Sequence, residues 1–514
     1  MTDFPWLTVL GLLPLVGAVV IMLLPQGNDE QVKQVALGFS LVVLVGVAVM
    51  ATQFQAAGAR FQFNQKLDWI PQFGISYSVG VDGIALVLIA LSAVLVPLVI
   101  LAGWNDAEPT GRSVKGYFVL MLSLETFMIG VFAATDLFLF YVFFEAMLIP
   151  VYFLIGRYGG PRASYAAVKF LIYSLAGGLF MLAALIGVYV IGARQLGKGT
   201  FDVVALQGLN MDVATGRMLF LGFFIAFAIK APLVPVHTWL PDAAGQSTPG
   251  TAVLLVGVLD KVGTFGMLRY CLPFFPEASR YFAPAVVGIA VVGILYGALL
   301  AIGQTDMKRL IAYTSVSHFG FITIGIFALT TYGSSGSGFY MVSHGLSTAA
   351  LFLVVGMMVS RRGSSVIADF GGVQKVAPLL AGFLLLAGLS GLALPGLSSF
   401  VGEFLTLVGA FTVYPVPAVI ATVGIILAAL YILIMYQKTM TGPVQEQVSH
   451  FADLRGREVL ALVPLVALMI VLGVYPKPIL DVVNPAIAQT LQLVGVTDPA
   501  PTSPGPATAE GINP

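Results

Sequence analysis

Apolar runs of membrane length follow one another along almost the whole chain, with short polar stretches between them. A spanning helix needs about 20 apolar residues. The pattern predicts fourteen, at approximately 4–24, 33–52, 80–103, 113–132, 134–156, 166–193, 216–240, 250–272, 281–303, 309–331, 337–361, 374–412, 417–437 and 458–477. Two runs interrupt themselves. The seventh places Lys230 after roughly a dozen apolar residues and then Pro232 and Pro235. The twelfth is broken by Pro395 and Gly396, with Glu403 just beyond. Proline removes a backbone donor and clashes with the preceding turn. In lipid such a break persists only where it faces protein or a water-filled cavity, so both helices are read as discontinuous. The segment 53–79 is polar and aromatic and reads as a surface loop with short strands or an interfacial stretch. The tail 497–514, rich in Pro, Thr, Ser, Gly and Ala, reads as disordered.

The two breaks lie five helices apart. Interrupted segments in corresponding positions point to a transporter built from inverted repeats, and an odd repeat of five inverts the second copy in the bilayer. The expected fold is an all-α polytopic membrane protein with repeats over helices 4–8 and 9–13. Its organisation is a three-helix segment at 1–112, the repeats at 113–272 and 281–437, and a connecting loop with the last helix at 438–480.

Composition agrees. Of 514 residues, 58% are hydrophobic and 9% charged, against about 25% charge in soluble domains, and the mean hydropathy is +0.97. A formal net charge of zero suggests no nucleic-acid partner. The single cysteine, Cys271, rules out an intrachain disulfide and a multi-cysteine metal site. Neither a dinucleotide glycine fingerprint nor a cysteine cluster is present, and the charged surroundings of His318 and His344 argue against a haem pair. The N-terminus has no basic region or cleavage site, so the first helix is expected to be retained. With the N-terminus outside, fourteen of the 24 lysines and arginines fall on inner loops and helix ends, eight on the outer side, and Lys230 and Lys261 within the membrane. The positive-inside rule favours this orientation, and an even helix count returns the C-terminus outside.

Ionisable residues at membrane depth are costly and mark ion paths. Glu145 sits in Phe143-Phe144-Glu145-Ala146-Met147 and is a natural partner for Lys230. Charges about 7 Å apart at an effective dielectric of about 20 interact by about 2.4 kcal/mol. The pair is either a static link between helices or a switch, in which the glutamate becomes a better proton acceptor when the lysine moves or loses its proton. Glu125 is either a second carboxylate near that pair or an inter-subunit contact. Lys261 suits a central relay. Asp260 beside it projects about 100° away around a regular helix and need not be its partner, though both can share a polar cavity. Histidine can titrate near neutral pH and carries two exchangeable nitrogens, which suits His318 and His344 to a relay, whereas His237, at the seventh-helix break, reads as a structural residue near a surface. Together Glu145, Lys230, Lys261, His318, His344 and Glu403 describe a polar axis across the membrane plane if the repeats pack side by side.

Several of these stretches resemble a known family. Phe144-Glu145-Ala146-Met147-Leu148-Ile149-Pro150, Lys230-Ala231-Pro232, His237-Thr238-Trp239-Leu240-Pro241-Asp242-Ala243, Lys261-Val262-Gly263 and Phe400-Val401-Gly402-Glu403-Phe404 are similar to motifs of the antiporter-like subunits of respiratory complex I. The likeness covers roughly residues 80–480. That superfamily also includes multisubunit sodium/proton antiporters and the membrane arms of some hydrogenases, which supply the alternative reading. Glu403, where L- and N-type subunits usually carry lysine, resembles the M-type branch, as does the absence of a long lateral helix after the last span. The resemblance implies proton translocation coupled to quinone reduction elsewhere in an NADH-quinone oxidoreductase of a bacterial inner membrane. It implies Glu145 and Lys230 as the charged pair, Lys261 as central relay, His318 and His344 as the onward path and Glu403 as the terminal site. It implies no redox cofactor in this chain, with NADH, FMN, iron–sulfur clusters and quinone in partner subunits, and L-type and N-type paralogues as neighbours. Two departures stand out. Ala244-Gly245-Gln246 replaces the common histidine and acidic residue, which weakens proton entry at that loop. Asp260 stands where leucine is common.

Overall fold

The computed structural model describes residues 4–498. Of the tail expected to be disordered, only Thr497 and Asp498 fall within it; the rest lies outside the described residues. Among the described residues, thirteen helices are long and apolar enough to cross a membrane. The twelfth span comes as two halves, Pro378–Gly391 and Ser398–Phe411, of 14 residues each, too short to cross alone. Short polar side chains set many of the helix starts. Asp82 accepts from the Ala85 amide, Asp136 from Phe138 and Leu139, Asp306 from Arg309, and Thr330 from Gly333. Each such cap is worth about 1 kcal/mol.

The seventh helix, Val213–Lys230, stops at the lysine, and the chain has no regular helix until Trp239–Gln246. Trp239 Nε1 donates to the Ile229 carbonyl at 2.8 Å, so the break satisfies one of the acceptors it frees. In the twelfth helix the chain turns between Gly391 and Ser398 through Ala393 at φ 59° and Gly396 at φ 93°, a left-handed geometry that glycine adopts without steric cost. A third interruption was not anticipated. The fifth span, expected to be continuous, divides into Leu137–Ala146 and Leu148–Tyr158 at Met147, two residues after Glu145. Pro150 has no amide to offer the Ala146 carbonyl. The eighth helix, Pro249–Phe274, contains π-helical segments at Leu255–Leu259 and Met267–Cys271, on either side of Lys261.

Burial separates centre from periphery. Over an apolar stretch of 18 residues, the eighth helix is 100% buried and the tenth and eleventh, Met307–Phe327 and Thr331–Arg362, 94%, against 33% and 28% for the first two. The helices bearing Lys261, His318 and His344 therefore form the middle of the protein. The outer helices turn Leu12, Val16, Val42 and Val45 outward, as lipid contact requires.

The expected strands are present as an antiparallel hairpin, Gln62–Ile70 with Ile75–Val81, tied to the first helix by Thr8 Oγ1 bonds to Gln65 (2.6 Å) and Tyr77 (2.9 Å). One element was missed. Lys477–Val494 is an amphipathic helix that buries Val483, Ala486, Ile487, Thr490, Leu491 and Val494. It packs on the third, eighth, ninth (Pro276–Ile302) and eleventh helices. It lies on the same face as the hairpin. The opposite face gathers the loops 103–113, 159–162, 303–306, 363–377 and 441–456, and carries most of the basic residues. It is the basic face of the protein.

Candidate functional site

The centre of the site is Lys261, whose side chain is completely buried. An ammonium has three protons to donate, and three partners meet it. Nζ donates to the Val256 carbonyl within the first π-helical segment, lies 2.7 Å from His344 Nδ1, and lies 3.0 Å from Asp260 Oδ1. The Asp260 contact is ionic rather than an aligned hydrogen bond, since neither carboxylate oxygen makes one. The expectation that Asp260 need not be the partner of Lys261 is corrected here. The lysine folds back over a widened turn, and the two neighbours converge. The Phe319 ring lies 5.2 Å from Nζ and adds a cation–π contact.

From Lys261 the polar groups continue in order. With the ammonium donating, His344 Nδ1 accepts and the ring proton sits on Nε2, which has no hydrogen-bond partner. The His318 ring stands edge-on to it, with centroids 5.2 Å apart. His318 Nε2 makes a long contact of 3.4 Å to the Tyr431 hydroxyl, and its ring lies 6.0 Å from that of Tyr340. Tyr340 donates to Glu403 Oε2 at 2.8 Å. Glu403 is 5% exposed. The structure thus brings Asp260, Lys261, His344, His318 and Glu403 into one series. Sequence reasoning missed Tyr340 and Tyr431. Tyr340 precedes His344 by four positions on one helix face, and a buried tyrosine hydroxyl needs a partner; that was the available signal. A second group of hydroxyls, Ser347 to Ser390 at 2.6 Å and to Ser399 at 2.9 Å, links the eleventh helix to both halves of the broken twelfth.

Lys230 and Glu145 form the other part. Lys230 is 1% exposed and its Nζ has no hydrogen-bond partner; it lies 4.7 Å from the Phe144 ring and 5.8 Å from that of Phe170. Glu145 is half-buried against Gly178, where a Cβ would fall 1.7 Å from Oε1, and that oxygen is also unpartnered. No ion pair of 4.0 Å or less closes between them. The pair is held apart with an aromatic ring beside it, and both ends keep free hydrogen-bonding capacity. Gly263 lets the eighth helix abut the seventh-helix break: a Cβ there would lie 2.5 Å from the Phe227 carbonyl and 2.6 Å from the Ala231 amide. Lys230 and Lys261 are thereby brought onto neighbouring stretches of backbone.

Glu125 is wholly buried with both oxygens unpartnered. It shares a stripe of the fourth helix, Val114–Ala133, with Tyr117 and Phe132. These reach Thr248 (2.9 Å), just before the eighth helix, and Phe265 (ring centroids 5.2 Å), one turn beyond Lys261 within it. Glu125 therefore faces the inside of this chain, and the inter-subunit alternative for it falls. His237 is 3% exposed and edge-on to the 42% exposed Tyr296 at 5.4 Å, beside the exposed Pro235, so it is a buried side chain close to the surface. Asp242 binds Lys169 at 2.7 Å and Arg309 at 2.5 Å, pinning Trp239–Gln246 to the sixth (Ala163–Leu196) and tenth helices at the basic face.

Residues 134–429 match the family described as NADH:quinone oxidoreductase/Mrp antiporter, TM. NADH-quinone oxidoreductase subunit M of Mycobacterium tuberculosis (strain ATCC 25618 / H37Rv) is 51% identical over 100% of this chain and 99% of its own length. A chain of respiratory complex I from Thermus thermophilus with bound NADH has a TM-score of 0.86 at 31% identity, covering 95% of this chain and 100% of that one. A chain of the Mrp complex from Dietzia sp. DQ12-45-1b shares the fold, with a TM-score of 0.81 at 21% identity over 96% of this chain and 100% of its own. The chain belongs to the NADH:quinone oxidoreductase/Mrp antiporter family of membrane subunits, in the branch of the subunit M proteins.

Proposed function

We propose that this chain translocates protons in the membrane arm of an NADH-quinone oxidoreductase, moving them along its buried Glu, Lys and His side chains. One observation carries the reading. Asp260, Lys261, His344, His318, Tyr340 and Glu403 follow one another at membrane depth, with no step longer than the 6.0 Å between the His318 and Tyr340 rings. Such spacing is bridged by side-chain rotation and single waters. Glu145 and Lys230 receive the signal. A charge change in a neighbouring subunit draws the Lys230 ammonium toward or away from Glu145, and the altered field at Lys261 releases its proton to His344. Glu403 passes the charge on or delivers the proton outward. The broken helices bring partial backbone charges and water to these groups, in two five-helix units, 113–272 and 281–437, taken as inverted repeats.

NADH, FMN, iron–sulfur clusters and quinone belong to partner subunits in this reading, and L-type and N-type subunits flank this one. The basic face is cytoplasmic in a bacterial inner membrane, with the first and last spans opening outward. The test is Lys230→Ala in the assembled complex in sealed vesicles, following NADH-driven acidification. The expected result is a folded complex with sharply reduced coupled turnover; unchanged pumping rejects the assignment. Transport that depends on sodium and runs without NADH would move the chain to the antiporter reading.

A further inference from the structure

Lys261 needs a supply of protons, and the loop Ala243–Gln246 offers no group to collect them. The basic face has another opening. A cavity of about 290 Å3 sits at the start of the eighth helix, bordered by Asn105, Asp106, Thr248, Ser360, Arg457 and Glu458. It has room for several waters. Asp106 Oδ2 is shielded from solvent and has no hydrogen-bond partner. Behind it, hydroxyls run inward: Thr248 Oγ1 contacts Tyr117 Oη at 2.9 Å and Thr251 Oγ1 at 2.8 Å. The Lys261 amine, folded back to the Val256 carbonyl, lies five residues beyond Thr251, about 7 Å of helical rise. The unpartnered Glu125 lies two turns from Tyr117 on the stripe that faces the same helix.

We propose that this cavity is the entrance through which protons reach Lys261 from the basic face, with Asp106 as the collecting group and the Thr248, Tyr117 and Thr251 hydroxyls as the path inward. The inference rests on the translocation reading above.

The charges around Asp106 suit the task. Burial pushes its carboxyl up to about 6, against the Gly250 amide, Lys308 and Arg457, which pull it down. Lys308 begins the tenth helix, and Arg457 and Glu458 begin the last span, Arg457–Val474. Glu458 is occupied by Arg361, at 2.8 and 2.7 Å, and Tyr117 is the titratable group on the fourth helix. A carboxyl raised toward neutrality both takes and gives protons in the working range. The plainer role for Asp106 is to accept from the Gly250 amide at the start of the eighth helix. An asparagine oxygen accepts that bond too but carries no titratable proton, so Asp106→Asn separates the two roles.

The experiment compares Asp106→Asn, Asp106→Glu, Tyr117→Phe and Lys261→Ala in the assembled complex in sealed vesicles. NADH oxidation and acidification are followed from pH 5.5 to 8, and assembly is checked on native gels. The expected result is normal assembly of Asp106→Asn, pumping reduced about tenfold as for loss of a proton-transfer group, and loss of the pH dependence centred near 6. Asp106→Glu restores pumping, and Tyr117→Phe slows it without changing assembly. Normal pumping in Asp106→Asn with none in Lys261→Ala overturns the entrance and leaves the translocation reading standing. Normal pumping in Lys261→Ala overturns both. If Asp106→Asn fails to assemble, Tyr117→Phe decides: unchanged pumping there overturns the path.

Discussion

Replacing Tyr340 with phenylalanine removes one oxygen and leaves the ring in place. Among the described residues, that oxygen is the only side-chain hydrogen-bond donor to the Glu403 carboxylate, at 2.8 Å, in a site where Glu403 is 5% exposed and Tyr340 fully buried. Hydrogen bonds to charged groups are worth about 1.5–3 kcal/mol. At 1.36 kcal/mol per factor of ten, losing that bond disfavours the ionised carboxylate relative to the protonated one by a factor of roughly 13 to 160. If the proton leaves through Glu403, coupled pumping falls by at least the lower end of that range, while NADH oxidation in the presence of an uncoupler changes less. The assay is the ratio of protons moved to NADH oxidised in sealed vesicles, with Tyr431→Phe alongside. Tyr431 touches His318 at only 3.4 Å, near the limit of a hydrogen bond, and its loss is expected to cost less than Tyr340→Phe. Wild-type pumping in Tyr340→Phe, with the complex assembled, refutes the place of Glu403 in the series.

Asp260→Asn breaks a fully buried ion pair of 3.0 Å. Removing one partner of such a pair costs about 3–5 kcal/mol, so the complex is expected to unfold at lower temperature, as read by thermal melting. Ile487→Asp places a charge on the buried side of the last helix. That helix is expected to detach, and limited proteolysis from the face opposite the basic one will cut near 477–494 in the variant and spare the parent.

The long helices were readable because lipid demands continuous apolar stretches, and the two main breaks because Pro232, Pro235, Pro395 and Gly396 punctuate them. Pro150 also punctuates, but the single-residue hitch at Met147 vanishes inside an apolar run. The π-helical segments on either side of Lys261 carry no punctuation in the sequence. That is why Asp260 was read as pointing away. The helix Lys477–Val494 escaped a hydropathy reading because only one side of it is apolar; the spacing Val483, Ala486, Ile487, Thr490, Leu491, Val494 was the better guide. Glu145, Lys230, Lys261, His318, His344 and Glu403 were visible because charges and imidazoles are conspicuous in apolar runs. Tyr340 and Tyr431 were not, since buried tyrosines resemble ordinary packing. Asp106 sits in a short polar loop where nothing distinguishes it from a solvated residue.

The last helix also constrains how the protein can move. Its backbone meets Gly83 so closely that a Cβ there would fall 1.8 Å from the Val482 carbonyl. Arg280 is bonded to the Val494 carbonyl, and Asp498 just beyond accepts from the Thr331 amide at 2.8 Å. It is a belt drawn across helices from both halves of the chain. A bundle that rocked open to one side and then the other would have to tear that belt at every cycle. That tie favours proton movement by reorientation of a few side chains and waters over a rocking of the whole bundle.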